Sequence, residues 1–307
     1  MKDALLLHGY RVIMSIKNYG ISSMVAPLRR VALHAPGVAL RNADRVKWHY
    51  GQGFNSDELI QDYADFVSCL ENTGVEVLWM SENTESADAI FTYDASLMTP
   101  EGAIQLNPGK LLRISEAESH SSFYESTGIP VIGQISGKAK CEAGDTLWLD
   151  DQTLLIGRGY RTNDAGIKQL KVILGKQGID VFVFDLPCYQ GEDACLHLMS
   201  LVSLLANDLA LIHKTLLPVA LAQLLTARGF ELIEAPANEF EGSNGLNLNV
   251  LALAPRHVLA IGGYDKTLSL MENAGCQIET FSGESLCIPC EGGPTCMTRP
   301  ILRTDNN

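Results

Sequence analysis

Five times along this chain a segment of helical period ends in a glycine, and each glycine opens a short β-type run. The runs read GVEVLWM from Gly74, GIPVIGQI from Gly128, GIDVFVFDL from Gly178, GFELIEAP from Gly229 and GCQIETF from Gly275, at intervals of 54, 50, 51 and 46 residues. Glycine closes helices because the left-handed conformation after the last turn costs little without a Cβ. A period near fifty residues therefore marks one repeating unit with a helix-to-strand turn at a fixed place.

Upstream of four of these helices, turn residues separate pairs of apolar runs. They lie within Ala89–Leu106 around Thr99-Pro-Glu-Gly102, Thr146–Gly157 around Asp150-Asp151, His197–His213 around Asn207-Asp208, and Leu246–Gly262 around Pro255-Arg256. Turn chemistry between such runs predicts hairpins, so the unit is hairpin, helix, strand. The first unit lacks its own hairpin and has one strand, Arg30–His34; its natural partner is the last one, Thr295–Leu302. Pairing the two chain ends closes the ring. The expected fold is a five-bladed α/β propeller forming a single domain over residues 30–307, after an N-terminal extension over residues 1–29. A doubly wound sheet would place one strand between helices, whereas three strand-like runs separate them here.

Composition narrows the partners. The 36 acidic against 23 basic residues give a formal charge of −13. That balance argues against nucleic acid and anionic membrane surfaces, which require clustered Lys and Arg, and leaves small cations as attractive ligands. No apolar run approaches the roughly 20 residues that span a bilayer. The eight cysteines occur without an export signal, so reduced thiols and a cytoplasmic location are expected. The pair Cys287-Ile-Pro-Cys290 has metal-like spacing but no second pair, and GRGYRT and GQGFNS are incomplete as dinucleotide fingerprints. Neither a metal nor a cofactor is expected. A homodimer is compatible with the sequence and not specified by it.

Counting forward from each repeat glycine gives Asp94 at 20, Glu142 at 14, His197 at 19, Asn249 at 20 and Cys296 at 21 residues. Residues of equivalent phase in a closed ring meet at its axis. Two carboxylates, an imidazole, an amide and a thiol would then line one pocket, the makings of a cysteine nucleophile with a proton-transfer partner and anionic walls. Each also has a structural reading: a turn residue for Asp94, a solvated charge for Glu142, a core histidine for His197, a backbone tie for Asn249, a small buried hydrophobe for Cys296.

The pieces FTYDASL around Asp94, CEAGD around Glu142, GRGYRTN around Arg161, CLHLMSL around His197, LNLNVLALAP around Asn249 and GGPTCMTRP around Cys296 run in an order that resembles the guanidino-group modifying enzymes. That superfamily, the penteins, holds dimethylarginine dimethylaminohydrolases, arginine deiminases and amidinotransferases, and its fold is the five-bladed α/β propeller. The resemblance implies Cys296 as nucleophile, His197 as proton-transfer partner, Glu142 as a carboxylate that holds the guanidinium or orients the histidine, and Asp94 as the guanidinium's partner. It implies Arg161 and Arg113 as arginines for the substrate carboxylate, although Glu116 and Glu118 also offer Arg113 surface ion pairs.

The implied substrate is a small cationic guanidino compound, foremost an Nω-methylated arginine hydrolysed to citrulline and a methylamine through a thiouronium on Cys296. Deiminases and amidinotransferases carry an aspartate two residues after the histidine, where this chain has Met199; a less polar, roomier pocket would suit N-methyl groups. Tyr93 departs from the family, which often has glutamate there. The alternatives are an amidinotransferase or deiminase on another guanidino or ureido compound, and a non-catalytic propeller resembling ribosome anti-association factors. Specificity is expected to lie in the loops Lys47–Phe54 and Gly242–Gly245.

Overall fold

The computed structural model describes residues 17–191 and 196–305. Its strands form five three-stranded sheets. Strand β1 (Leu28–Leu33) pairs with β2 (Glu76–Trp79) and β15 (Arg299–Arg303). The others are β3 (Ser96–Thr99), β4 (Gly102–Gln105) and β5 (Val131–Gln134); β6 (Thr146–Asp150), β7 (Thr153–Arg158) and β8 (Asp180–Asp185); β9 (Val202–Ala206), β10 (Leu209–Ile212) and β11 (Glu231–Glu234); and β12 (Leu251–Ala254), β13 (His257–Ile261) and β14 (Gln277–Phe281). In every sheet the middle strand is antiparallel to one neighbour and parallel to the other.

The parallel partner always follows a helix, because a parallel pair needs a crossover. The crossovers are α1 (Leu59–Asn72), α2 (Ile114–Thr127), α3 (Asp164–Gly175), α4 (Val219–Ala227) and α5 (Asp265–Asn273). The five repeat glycines follow them with φ from +70° to +84°. At Gly74, Gly128, Gly178 and Gly229 nothing lies within 4 Å of where a Cβ would stand. The backbone angle, not crowding, selects glycine there.

Burial falls outward across each blade. Strands β3 and β9 are wholly buried, whereas β2, β5 and β11 alternate exposed ends with half-buried centres. Burial on both faces explains why the inner strands read as continuous apolar runs rather than alternating ones. The sheet β15-β1-β2 closes the ring: Leu28 faces Arg303 and Ala32 faces Arg299. The boundary drawn after residue 29 falls inside β1, which starts at Leu28. The chain joins the fold earlier still, since Gly20 donates its N–H to Ile301 O at 2.8 Å and Ile21 and Val25 are buried. Residues 1–16 of the expected extension lie outside the described residues.

Candidate active site

Each of the five phased side chains stands in the connection that leads into the first strand of a blade: Asp94 before β3, Glu142 before β6, His197 before β9, Asn249 before β12 and Cys296 before β15. Asn249 donates from Nδ2 to Cys296 Sγ at 3.0 Å, and its Oδ1 accepts the Thr295 N–H at 2.9 Å. This second bond fixes which end of the amide faces the sulfur. Gly293 permits the approach, because a Cβ there would stand 2.6 Å from Asn249 Cγ.

Burial pushes the Cys296 thiol up to about 11; Asp94 adds to the rise, and the Gly293 backbone, Asn249 and His197 oppose it. The resting group is a protonated thiol, and a cation placed beside it would favour the thiolate. Two alkylating reagents should therefore part company. Neutral iodoacetamide is expected to label Cys296 slowly at neutral pH, with a rate that climbs toward about pH 11. A cationic haloacetamidine is expected to label it rapidly at neutral pH. Rate-against-pH curves for both reagents check this; an iodoacetamide rate already at its plateau at neutral pH contradicts it.

His197 Nε2 lies 2.7 Å from Glu142 Oε2. Glu142 is fully buried and accepts the backbone N–H of Gly109 at 2.7 Å and Arg161 Nε at 3.0 Å. Burial works to raise its pKa, but the Arg161 charge and the His197 hydrogen bond outweigh it and hold the carboxyl well below the usual range. Of the two roles implied for Glu142, orienting the histidine is the one this geometry fits. The next turn is equally constrained: a Cβ on Gly144 would stand 2.5 Å from His197 Nδ1 and 2.9 Å from Asp94 Oδ1. Gly144→Ala should displace the imidazole and cost on the order of 10²-fold in kcat/KM, the scale of a 1 Å misplacement, with the fold retained by circular dichroism.

Asp94 accepts the Gly144 N–H on Oδ1 at 2.9 Å and Arg113 Nη1 on Oδ2 at 2.6 Å. Arg113 is almost fully buried, donating to both oxygens of Glu116 at 2.7 to 3.0 Å and to Phe91 O at 2.8 Å. Ser86 completes the row with a 2.7 Å bond to Glu116. Arg113 is thus not a surface residue: its guanidinium is occupied by two buried carboxylates and a carbonyl, and it holds Asp94 Oδ2 in place. Desolvation raises the Asp94 pKa, but His197 and Arg113 draw it below its ordinary value.

These groups surround a cavity of about 530 Å³ lined by Asp94, Arg161, His197, Asn249 and Cys296 among others. Glu142 stands behind its wall. Trp48 and His49 come from one expected specificity loop, and Asn244 and Gly245 from the other. Met199 does not line the cavity: it packs in the apolar cluster that holds Leu97 and Trp148. The enlargement inferred from it is therefore not present at this position. His197 precedes and Ser200 ends a 3-10 turn, Leu198–Ser200, and residues three apart in such a turn share a face; these two face the cavity and the residues between them face the core. Tyr93 is also buried away from it, its ring under the Arg299 guanidinium at 4.3 Å.

Sequence reasoning missed Asp88, Lys110 and Lys140, which also line the cavity. Asp88 accepts Tyr50 OH at 2.7 Å and Lys110 Nζ at 2.6 Å. The only available signal was the proximity of each to a named residue, too weak to separate them from other charges. Asp94, Glu142 and His197 also offer ligand atoms within 4.8 Å of one another, as a divalent ion would need. Arg113 and Arg161 already neutralise both carboxylates, so this donor set suits an organic cation beside it better than a metal among it.

Five three-stranded blades around a cavity that brings Cys296 together with His197 and Asp94 match the make-up of a guanidino-group modifying enzyme. Within that class, this chain belongs to the dimethylarginine dimethylaminohydrolase family: residues 36–302 match the family described as "N,N dimethylarginine dimethylhydrolase, eukaryotic". Its members are hydrolases of the C–N bonds of linear amidines, and so is this protein. The chain is 25% identical over 243 residues to N(G),N(G)-dimethylarginine dimethylaminohydrolase of Pseudomonas aeruginosa, covering 78% of this chain and 87% of that protein. It is 26% identical over 243 residues to the arginine deiminase of Mycobacterium avium, of which it spans 60%, with 70% of this chain covered. Among solved structures, the Pseudomonas aeruginosa enzyme complexed with citrulline matches with a TM-score of 0.72 at 20% identity, covering 91% of this chain and all of that one (100%). An amidinotransferase from Microseira wollei matches at 0.78 and 17% identity, covering 94% and 98%. These structural likenesses carry the fold.

Proposed function

We propose that the protein hydrolyses an Nω-methylated arginine to citrulline and a methylamine, with Cys296 as nucleophile. The observation that carries the reading is the convergence, on one cavity, of the Asn249–Cys296 pair, the His197–Glu142 pair and the arginine-fixed Asp94. A guanidinium is planar and a poor electrophile, so attack needs a strong nucleophile and a carboxylate that holds the plane in place. Asp94 supplies the carboxylate. The bound cation offsets the burial that keeps Cys296 protonated.

Thiolate Sγ adds to the central guanidinium carbon, forming the S–C bond. His197 takes up the proton that the Cys296 thiol gives up and passes it to the departing methylamine as the C–N bond breaks, leaving a thiouronium. His197 then takes a proton from water, the hydroxide adds to the same carbon, and collapse breaks the S–C bond; the thiolate regains its proton from His197, and the hydroxyl proton passes to the methylamine as the neutral ureido group of citrulline is released. Glu142 keeps the imidazole in register throughout. Arg161 is assigned to the substrate carboxylate, and Phe91, Leu196 and Leu246 offer apolar surface for the methyl groups.

The test is a citrulline-release screen over arginine, its monomethyl and dimethyl forms and shorter guanidino acids. Release from the methylated forms in preference to arginine supports the reading. Release from arginine alone, or ornithine formed in the presence of an amine acceptor without citrulline, overturns it.

A further inference from the structure

Among the described residues, four fixed cations line the cavity: Lys110, Arg113, Lys140 and Arg161. Three of them meet carboxylates of the protein itself. Lys110 lies 2.6 Å from Asp88, Arg113 2.6 Å from Asp94 and Arg161 3.0 Å from Glu142. Among the described residues Lys140 has no carboxylate partner. Arg113, one of the two cations the resemblance assigns to a substrate carboxylate, is already committed to Asp94 and Glu116.

We propose that Lys140 is a specificity-determining residue that binds the substrate's remote carboxylate beside Arg161; this rests on the reading that a guanidino acid occupies the cavity. Its backbone is held rigidly against the Arg161 loop. Lys140 donates its N–H to Asn163 Oδ1 at 3.1 Å, its carbonyl accepts the Asn163 N–H at 3.1 Å, and Glu142 donates its N–H to Thr162 Oγ1 at 3.2 Å. Gly166 lets α3 approach, because a Cβ there would collide with the Lys140 carbonyl. Cys141 forms a β-bridge with Asn107 and Glu142 has extended backbone angles, φ −119° and ψ 142°. In an extended segment alternate side chains share a face, so Lys140 and Glu142 point to one side. Cys141 points to the other, into the apolar core. Lys140 is thereby set on the face of the segment that carries Glu142 to His197 and Arg161.

An ammonium without a counter-ion gains more from an incoming carboxylate than one already paired, since no existing ion pair must be broken. Being a point charge rather than a planar fork, lysine reads the charge of the ligand more than its geometry. Its contribution should therefore depend on whether the ligand carries a carboxylate at all.

Binding to protein bearing Cys296→Ser, which removes turnover, separates this from the chemistry. Titration calorimetry with Nω-methylarginine and with its decarboxylated counterpart Nω-methylagmatine should give a Kd for the amino acid about tenfold weaker when Lys140→Met is added, the scale of one charge-assisted hydrogen bond. The Kd of the decarboxylated ligand should stay within twofold, and Lys140→Arg should restore the value for the amino acid. Equal weakening for both ligands, or none for either, overturns the role of Lys140 while leaving the guanidinium reading intact. Parent protein that binds neither ligand overturns the reading of the cavity and the assignment with it.

Discussion

Cys296→Ser is expected to lower citrulline release by 10⁴-fold or more, on the order of what removing a nucleophile costs other covalent enzymes. The hydroxyl keeps the size of the group and can keep the Asn249 bond, so the cavity should survive and a guanidino ligand should still bind. What is lost is a group that becomes anionic beside a cation. A thiol pushed up to about 11 lies within reach of such assistance, whereas an alcohol lies far above it. Full activity in the serine protein would dispose of a covalent mechanism, and with it of amide-tuned reactivity at the propeller axis. The measurement is kcat on the best substrate of the screen, with circular dichroism confirming the fold.

His197→Ala should lower kcat/KM by roughly 10²- to 10⁴-fold, the range attributed to a positioned proton-transfer group. The loss should be unequal between steps. An activated substrate whose leaving group departs without a proton should still alkylate Cys296 in the variant. Release of the product needs water deprotonated by the missing imidazole and should then become limiting. The variant should accumulate adduct where the wild type does not, seen as a burst in leaving-group release followed by a slow phase. Uniform slowing without a burst would place His197 in binding or folding instead.

The propeller was legible because its signals are backbone requirements. Gly74, Gly128, Gly178, Gly229 and Gly275 all take positive φ, which few other residues adopt without strain, and their spacing survives when side chains vary. The grouping of the five phased residues was legible for a related reason: closure of the ring turns equal phase into proximity, so Asp94, His197, Asn249 and Cys296 line one cavity and Glu142 hydrogen-bonds His197 behind it. Arg113 and Met199 were not legible, because their meaning depends on which way a side chain leaves a turn. Arg113 meets Glu116 three residues on, at the start of α2, and both are buried; the same spacing on an exposed helix would be the surface ion pair the sequence equally allowed. Met199 sits midway through a 3-10 turn and faces the core. Its neighbours in sequence, His197 and Ser200, face the cavity. The Lys110–Asp88 pair, and Lys140 without a carboxylate partner among the described residues, required the cavity wall itself.

If the reaction passes through a covalent bond between Cys296 and the guanidinium carbon, rapid acid quench during turnover will trap it. Mass spectrometry of the peptide containing Cys296, in the wild type and in His197→Ala with an activated substrate, should show a mass increase equal to the substrate less its leaving group, located on Cys296 and more abundant in the variant. Turnover by the wild type with Cys296 unmodified in both proteins, or an adduct on any other residue, would contradict such a bond.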